Sequence, residues 1–297
     1  MQCSRCHKDA IVFQPYSGLH LCGQHSIADV EAKAKKVIRA HGWLSCGDHL
    51  AVLLDGDDSS SALLFFLHQL TAERRDIRIT AITMADARGT CSDTSRARRI
   101  AECLDTEVLE VSLSEESGIG TGTVPAKNPD ISSLPLFPTS RSLLLDRIAQ
   151  RHGITRIAWG LCLDDVAGVV LGTIIRGNGG KLAGGSSCQG VIPRICPFIA
   201  VTKAEVSLYA ALCGWGNEPA LDPEQGDGLH KDTVTLLDGF TNNHPATKYA
   251  LLSLGEAMAG FSPGMAGLIQ ACEWYGKYPH GCGNGGSTEC GVKNGAC

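Results

Sequence analysis

The stretch Ala51–Leu67, AVLLDGDDSSSALLFFL, decides how the rest of the chain is read. Its first residues, Ala51–Leu54, are uniformly apolar, as in a strand buried on both faces of a parallel sheet. They stop at Asp55-Gly56-Asp57-Asp58-Ser59-Ser60, a short polar turn. A second apolar run, Ala62–Leu67, then predicts a helix, with Ser59 or Ser60 as its N-cap. Strand, short turn and helix is an arrangement that holds phosphate, because unpaired N–H groups and the helix dipole point into the turn. Phosphate-binding turns carry glycine and lysine, whereas this one carries three aspartates.

Working outward, the β-branched run Ile77–Thr83 predicts a second strand and Glu107–Leu113 a third, with an arginine-rich helix, Ser95–Cys103, between them. Ser114–Pro138 is rich in glycine and proline and reads as a long loop of the kind that carries function or is disordered. Ser140–His152 reads as a helix and Ile154–Trp159 as a fourth strand, which runs into Gly160–Asp165 and another helix. Alternating strands and helices predict an α/β fold with a doubly wound parallel sheet. Its ligand crevice lies at the carboxyl ends of the strands, so the turns at 55–60 and 160–165 are expected on that edge.

At 297 residues the chain is long enough for one large domain with small appendages. Apolar residues make up 43% of it, so a globular core is expected. It has no 18-residue apolar stretch and no apolar signal region near Met1, so the expectation is a cytoplasmic protein without membrane contact. In that compartment fourteen cysteines suggest metal or redox chemistry more than disulfides. The net charge of −5 leaves any nucleic-acid contact to local patches. One candidate is the predicted helix Ile27–His41, ended by Gly42, whose polar side carries Lys33, Lys35, Lys36 and Arg39; a merely solvated face is the alternative.

The N-terminus supplies the clearest metal signal. Cys3-x-x-Cys6 and Cys22-x-x-His25 form two knuckles fifteen residues apart. Three thiolates and an imidazole suit a tetrahedral zinc, and four protein ligands leave no open position, so the role is structural. A segment this short cannot bury its own core, and metal binding would supply its folding energy.

Taken together, these segments resemble the tRNA 2-thiolation branch of the PP-loop ATP pyrophosphatases. The quartet Cys3, Cys6, Cys22 and His25 is similar to that family's first zinc finger. Ala51–Ser60 lies where the family has its SGGKDS loop, and Ala158–Asn178 resembles its ATGHNLDDEA helix start. Ile192–Leu212 and the motif LLDGF at Leu236–Phe240 recur in the same order. The resemblance implies a zinc finger (1–26), an α/β ATP-pyrophosphatase domain (27–265) and a small cysteine-bearing C-terminal module (266–297). It also implies an activity. ATP with magnesium would activate a tRNA uridine as an adenylate, and sulfur, delivered through cysteines that often hold an iron–sulfur cluster, would displace AMP. The implied partners are tRNA, another thiolation protein or a sulfur carrier, and a second copy of the chain. The nucleotide would lie against Asp55, Gly56, Asp57, Asp58, Ser59, Ser60, Gly160, Asp164 and Asp165.

The chain departs from the pattern where the chemistry is. Asp57 replaces the loop's second glycine and Asp58 its lysine. Two like charges at about 4 Å cost on the order of 1 kcal/mol in water and about 4 kcal/mol near a protein surface. ATP is therefore expected to bind weakly. Leu134 and Phe137 stand where the family has a CxxC, and a third cysteine is missing after Ala211–Gly214, so no iron–sulfur cluster is expected; Arg141 remains in the helix that follows. Cys162, Cys188 and Cys196 read either as a relocated thiol set or as small buried hydrophobes. Asp164 and Asp165 read either as nucleotide-side acids or as carboxylates stabilising a helix start. Cys272, Cys282, Cys290 and Cys297 are widely spaced ligands for a second metal, or unliganded thiols. Three functions follow: a catalytically altered family member that binds tRNA or a partner, a working tRNA sulfurtransferase with a rebuilt site, or a zinc-bearing interaction module unrelated to RNA.

Overall fold

The computed structural model describes residues 1–85, 94–112, 136–177, 192–216 and 228–258. A small antiparallel ribbon, β1 (Val12–Gln14) and β2 (Leu19–Leu21), precedes helix α1 (Gly23–His41). Then come β3 (His49–Leu53), α2 (Asp58–Thr71), β4 (Arg78–Ala85), α3 (Thr94–Cys103) and β5 (Glu107–Ser112). The second half contributes α4 (Leu136–Arg151), β6 (Arg156–Ala158), α5 (Leu163–Ile175), β7 (Arg194–Ile195) and α6 (Lys203–Leu212). Helices α7 (Gly228–Asn243) and α8 (Thr247–Met258) follow. Among the described residues no helix is long and apolar enough to cross a membrane. The expected C-terminal module, with Cys272, Cys282, Cys290 and Cys297, lies outside the described residues, as do Cys188 and Leu134.

The five-stranded sheet runs β5-β4-β3-β6-β7, parallel throughout. This is the expected doubly wound architecture. Its strand order reverses between β3 and β6, the place where such sheets hold their ligands. After its first residue the central strand is buried: Leu50, Ala51, Val52 and Leu53, with Leu54 just beyond, are each at most 1% exposed. That is why its sequence is a continuous apolar run rather than an alternating one. Helix α2 packs Leu63, Leu64, Phe66 and Leu67 into the same core, and α5 packs Val166, Ala167 and Val170.

Two positions fix the sheet's ends. At the amino end, buried Asp48 accepts from Ser45 N at 2.7 Å, from Thr155 Oγ1 at 2.9 Å and from Arg156 Nε at 3.0 Å, tying the start of β3 to the start of β6. At the carboxyl end, a Cβ on Gly160 would lie 2.9 Å from both Ser59 C and Ser60 N. The turns after β3 and β6 therefore lie on one edge, as expected, and they touch backbone to backbone.

Two outcomes follow. Gly160→Ala should destabilise the fold by about 1–3 kcal/mol through overpacking, read from denaturant midpoints. Burial alone would raise the Asp48 carboxyl, but the Ser45 N–H, Thr155 and Arg156 hold it below the ordinary carboxylate range. Its stabilisation is then present above the unfolded pKa and lost as pH falls through the lower folded one. Asp48→Asn should flatten the acid limb of the stability–pH curve; an unchanged limb would disprove the assignment.

Candidate functional site

The loop at the switch point is built differently from the sequence expectation. The N-cap of α2 is Asp57, not Ser59 or Ser60. Asp57 Oδ1 accepts from Ser60 N at 2.7 Å, and Asp57 O accepts from Ser61 N at 3.1 Å and Ser61 Oγ at 2.6 Å. A carboxylate there meets both the free N–H groups and the positive end of the helix dipole, so it outcompetes a hydroxyl. Ser59, Ser60 and Ser61 turn inward and are at most 2% exposed. Gly56 takes the left-handed conformation, φ 81°, that lets the chain turn from strand to helix.

Arg96, on the first turn of α3, closes the loop from the side. Its guanidinium donates to Gly56 O at 2.6 Å, Asp58 Oδ1 at 3.0 Å and Trp215 O at 2.5 Å. Its side chain is 9% exposed. Sequence reasoning noted the arginines of this helix without singling out Arg96. The signal was there, since Arg96 precedes Ile100 and Leu104 by four and eight positions, on the face that faces the core.

The acidic pair at the start of α5 is engaged in structure. Asp165 Oδ2 accepts from Cys162 N at 2.8 Å as part of a capping box. Asp164 accepts from Lys203 N at 2.7 Å and from Lys248 Nζ at 2.5 Å. Cys162 and Cys196 are fully buried among apolar side chains, the small-hydrophobe reading; Cys162 Sγ lies 3.4 Å from Ser59 Oγ. Just before Gly160, the indole N–H of buried Trp159 has no acceptor among the described residues.

In the N-terminal finger the quartet converges. Cys3 Sγ and Cys22 Sγ lie 3.3 and 3.4 Å from His25 Nδ1, and Cys6 Sγ lies 3.7 Å from Cys22 Sγ. All four ligand atoms fall within 4.8 Å of one another. Zinc bonds of about 2.0–2.3 Å in a tetrahedron imply ligand separations of roughly 3.3–3.8 Å. The donor set and its spacing fit zinc. Burial works to raise the Cys3 thiol, but N–H groups of Arg5 and Cys22 and the His25 ring hold it down to about 6, which favours the thiolate a metal needs. Among the described residues this is the one group of three or more side chains placed to hold a metal ion. His25 stands on the first turn of α1, which begins at Gly23 rather than at the expected Ile27. One helix thus serves both the finger and the sheet domain.

Comparison with known proteins matches this geometry. Residues 2–25 match the family described as 2-thiouridine synthetase TtuA, N-terminal LIM domain. The chain is 26% identical over 279 residues to tRNA 2-thiolation protein NcsA of Haloferax volcanii, with 87% of each chain covered. It is 28% identical to cytoplasmic tRNA 2-thiolation protein 1 of Bos taurus, covering 87% of this chain and 78% of that one. Among solved structures it superposes on the U34-tRNA thiolase NcsA from Methanococcus maripaludis with TM-score 0.74 at 21% identity, covering 88% of both chains.

That structure carries a [4Fe-4S] cluster, which overturns the expectation that no iron–sulfur cluster belongs here. The expectation rested on Leu134 and Phe137 standing at two aligned ligand positions. Aligned positions exclude those two residues as ligands and nothing more, because a cluster needs thiolates that converge in space, whatever their spacing in sequence. Six of the fourteen cysteines, at 91, 188, 272, 282, 290 and 297, lie outside the described residues, so the described ones do not decide the ligand set. Finger, sheet and sequence likeness along most of the chain agree: this chain is similar, from end to end of its described core, to proteins of tRNA 2-thiolation and shares their fold.

Proposed function

We propose that the chain acts in tRNA 2-thiolation as a scaffold that binds tRNA or a partner protein, with a nucleotide loop rebuilt away from triphosphate binding. Relatives named for tRNA 2-thiolation support tRNA as the ligand class. The observation that carries the rest is the Asp57 carboxylate, 2.7 Å from the Ser60 N–H. A phosphate at the start of α2 would need that N–H and the dipole behind it. Both are already engaged by an anion that belongs to the chain. Asp58, in place of a loop lysine, is held by Arg96 rather than offered to a ligand. A protein partner, whether another thiolation protein, a sulfur carrier or a second copy, belongs to the same proposal. So does a single zinc on Cys3, Cys6, Cys22 and His25, which when bound supplies structure and no open coordination position.

A second reading, an enzyme with a rebuilt site, draws support from Trp159. A buried donor without an acceptor, next to a ligand-holding edge, is what a missing ligand atom would explain.

Calorimetry with ATP and magnesium separates the two. The unmodified protein is expected to bind at least tenfold more weakly than Asp57→Gly/Asp58→Lys/Arg96→Met. The triple variant is needed because Lys at position 58 would face the Arg96 guanidinium. The double variant without Arg96→Met should melt below the triple. Tight ATP binding by the unmodified protein would put the rebuilt enzyme first. For RNA, tRNA affinity should fall steeply across a salt series, as phosphate contacts require. For the finger, metal analysis should return one zinc per chain, and Cys3→Ser should lose it together with thermal stability. A zinc-free protein, or a Cys3→Ser variant as stable as the parent, would remove the finger from the proposal.

A further inference from the structure

The finger is joined to the sheet domain through buried charge. Gln14, Asp29 and Glu205 come from β1, α1 and α6, and each is at most 8% exposed. Gln14 Nε2 donates to Asp29 Oδ2 at 2.9 Å and to Glu205 Oε1 at 2.6 Å. Lys33 Nζ lies 2.9 Å from Asp29 and 3.0 Å from Glu205. The Tyr16 hydroxyl donates to Glu205, and Arg5 pairs with Asp29 at 2.7 Å. Three of these groups, Arg5, Gln14 and Tyr16, belong to the finger.

The second oxygen of Glu205 faces the other way. Oε2 accepts from Thr202 N and Thr202 Oγ1, both at 3.0 Å, completing the capping box that starts α6. One residue on, Lys203 N donates to Asp164 Oδ2 at 2.7 Å, and Leu163 N donates to Val201 O at 2.9 Å. These two bonds hold the start of α5, whose Cys162 touches Ser59 of the loop.

We propose that metal occupancy of the Cys3, Cys6, Cys22 and His25 quartet sets the order of the loop edge of the sheet, with the Glu205 carboxylate as the connecting group. The element with two states is the finger. Its own buried apolar cluster among the described residues is Cys3, Leu21 and Cys22, too little to hold it folded without metal. When it loosens, Arg5, Gln14 and Tyr16 leave, and Lys33 is left between two buried carboxylates. Glu205 Oε1 then loses two of its three donors, Gln14 and Tyr16, and a carboxylate so stripped is drawn toward water. For Glu205 that means releasing Thr202, and with it the start of α6 that supports Asp164 and α5. The coupling is reciprocal, so weakening the Glu205 contacts must weaken metal retention by the same factor.

The inference rests on the zinc reading, and the test keeps the two apart. Hydrogen exchange is measured on the full chain, metal-loaded and after chelation, with metal content determined first. Chelation should speed exchange at least tenfold not only in residues 1–25 but also at 162–165 and 202–206. Glu205→Gln keeps the capping box, since glutamine serves there, while removing the charge that Lys33 and Tyr16 hold. In this variant chelation should no longer reach 162–165 and 202–206. Zinc release to a chromophoric chelator should be several-fold faster. Gln14→Met cuts only the finger's side of the junction and should do the same, which covers a misfolded Glu205→Gln. A protein with no zinc overturns both readings. A zinc protein whose chelation loosens residues 1–25 alone, or whose Glu205→Gln and Gln14→Met variants release zinc at the parental rate, overturns the coupling alone.

Discussion

The contact on which the rest of the structure depends is the approach of Gly160 to the Ser59–Ser60 peptide. At 2.9 Å from a would-be Cβ there is no room for any side chain. The sheet's two halves, β3-β4-β5 and β6-β7, meet along β3 and β6, and this contact closes the seam at its carboxyl end. Asp48 closes the amino end through Thr155 and Arg156. With both ends of the seam fixed, the turns at 55–60 and 160–165 have little freedom, and whatever they present to a ligand is set by their own side chains.

Those side chains are anionic, and a tight turn of aspartates must be reconciled with a stable fold. Asp57, Asp58, Asp164 and Asp165 each face a cation or the positive end of a helix rather than another carboxylate. Asp57 sits on the N-terminus of α2, worth typically 0.3–1 kcal/mol from the dipole. Asp58 pairs with Arg96, Asp164 with Lys248, and Asp165 caps α5. These four carboxylates thus have donors or cations within the chain, without a ligand. A polyanion would have to displace a carboxylate hydrogen-bonded at 2.7 Å and enter beside Asp58. Repulsion at an effective dielectric near 20 is on the order of 4 kcal/mol per close pair, several times the dipole's contribution. The Asp57 cap and the Asp58–Arg96 pair give the loop polar contacts of its own.

How much of this was legible in the sequence depended on the range of the signal. The central strand, α2, β4, α3 and α4 are local patterns, and their ends fall within about four residues of the expected ones, as boundary reasoning allows. The finger quartet was legible because ligand spacing is itself local. Strand β7 was not singled out, since Arg194–Ile195 is too short for any periodicity; only its pairing with β6 defines it. The Asp57 cap was missed because serine and aspartate are both good caps, and the choice turned on where the strand stops. Arg96 and Glu205 were missed for a deeper reason. Their partners lie 38 to 191 positions away in the chain, and no local window contains such pairs. The cluster expectation failed on the same ground, because absence at aligned positions says nothing about convergence in space.

The Glu205 junction shows why a small metal module would be docked by charge rather than by apolar contact. An apolar seam tolerates sliding, and a finger with so small a buried cluster has little shape to index against a partner surface. A buried pair of carboxylates, Asp29 and Glu205, cannot slide. Each needs its cation and its amide in place, and a shift that strands one costs several kcal/mol, whereas replacing the whole set by packed hydrocarbon is often neutral. The arrangement therefore adds little net stability over an apolar seam but admits one docking geometry. Hydrogen bonds from Gln14 and Lys33 outweigh the burial that would otherwise raise the Asp29 carboxyl, so the ionised form is the one the junction is built for. Because Glu205 belongs to the finger's contacts and to the cap of α6 at once, the geometry imposed on one is imposed on the other.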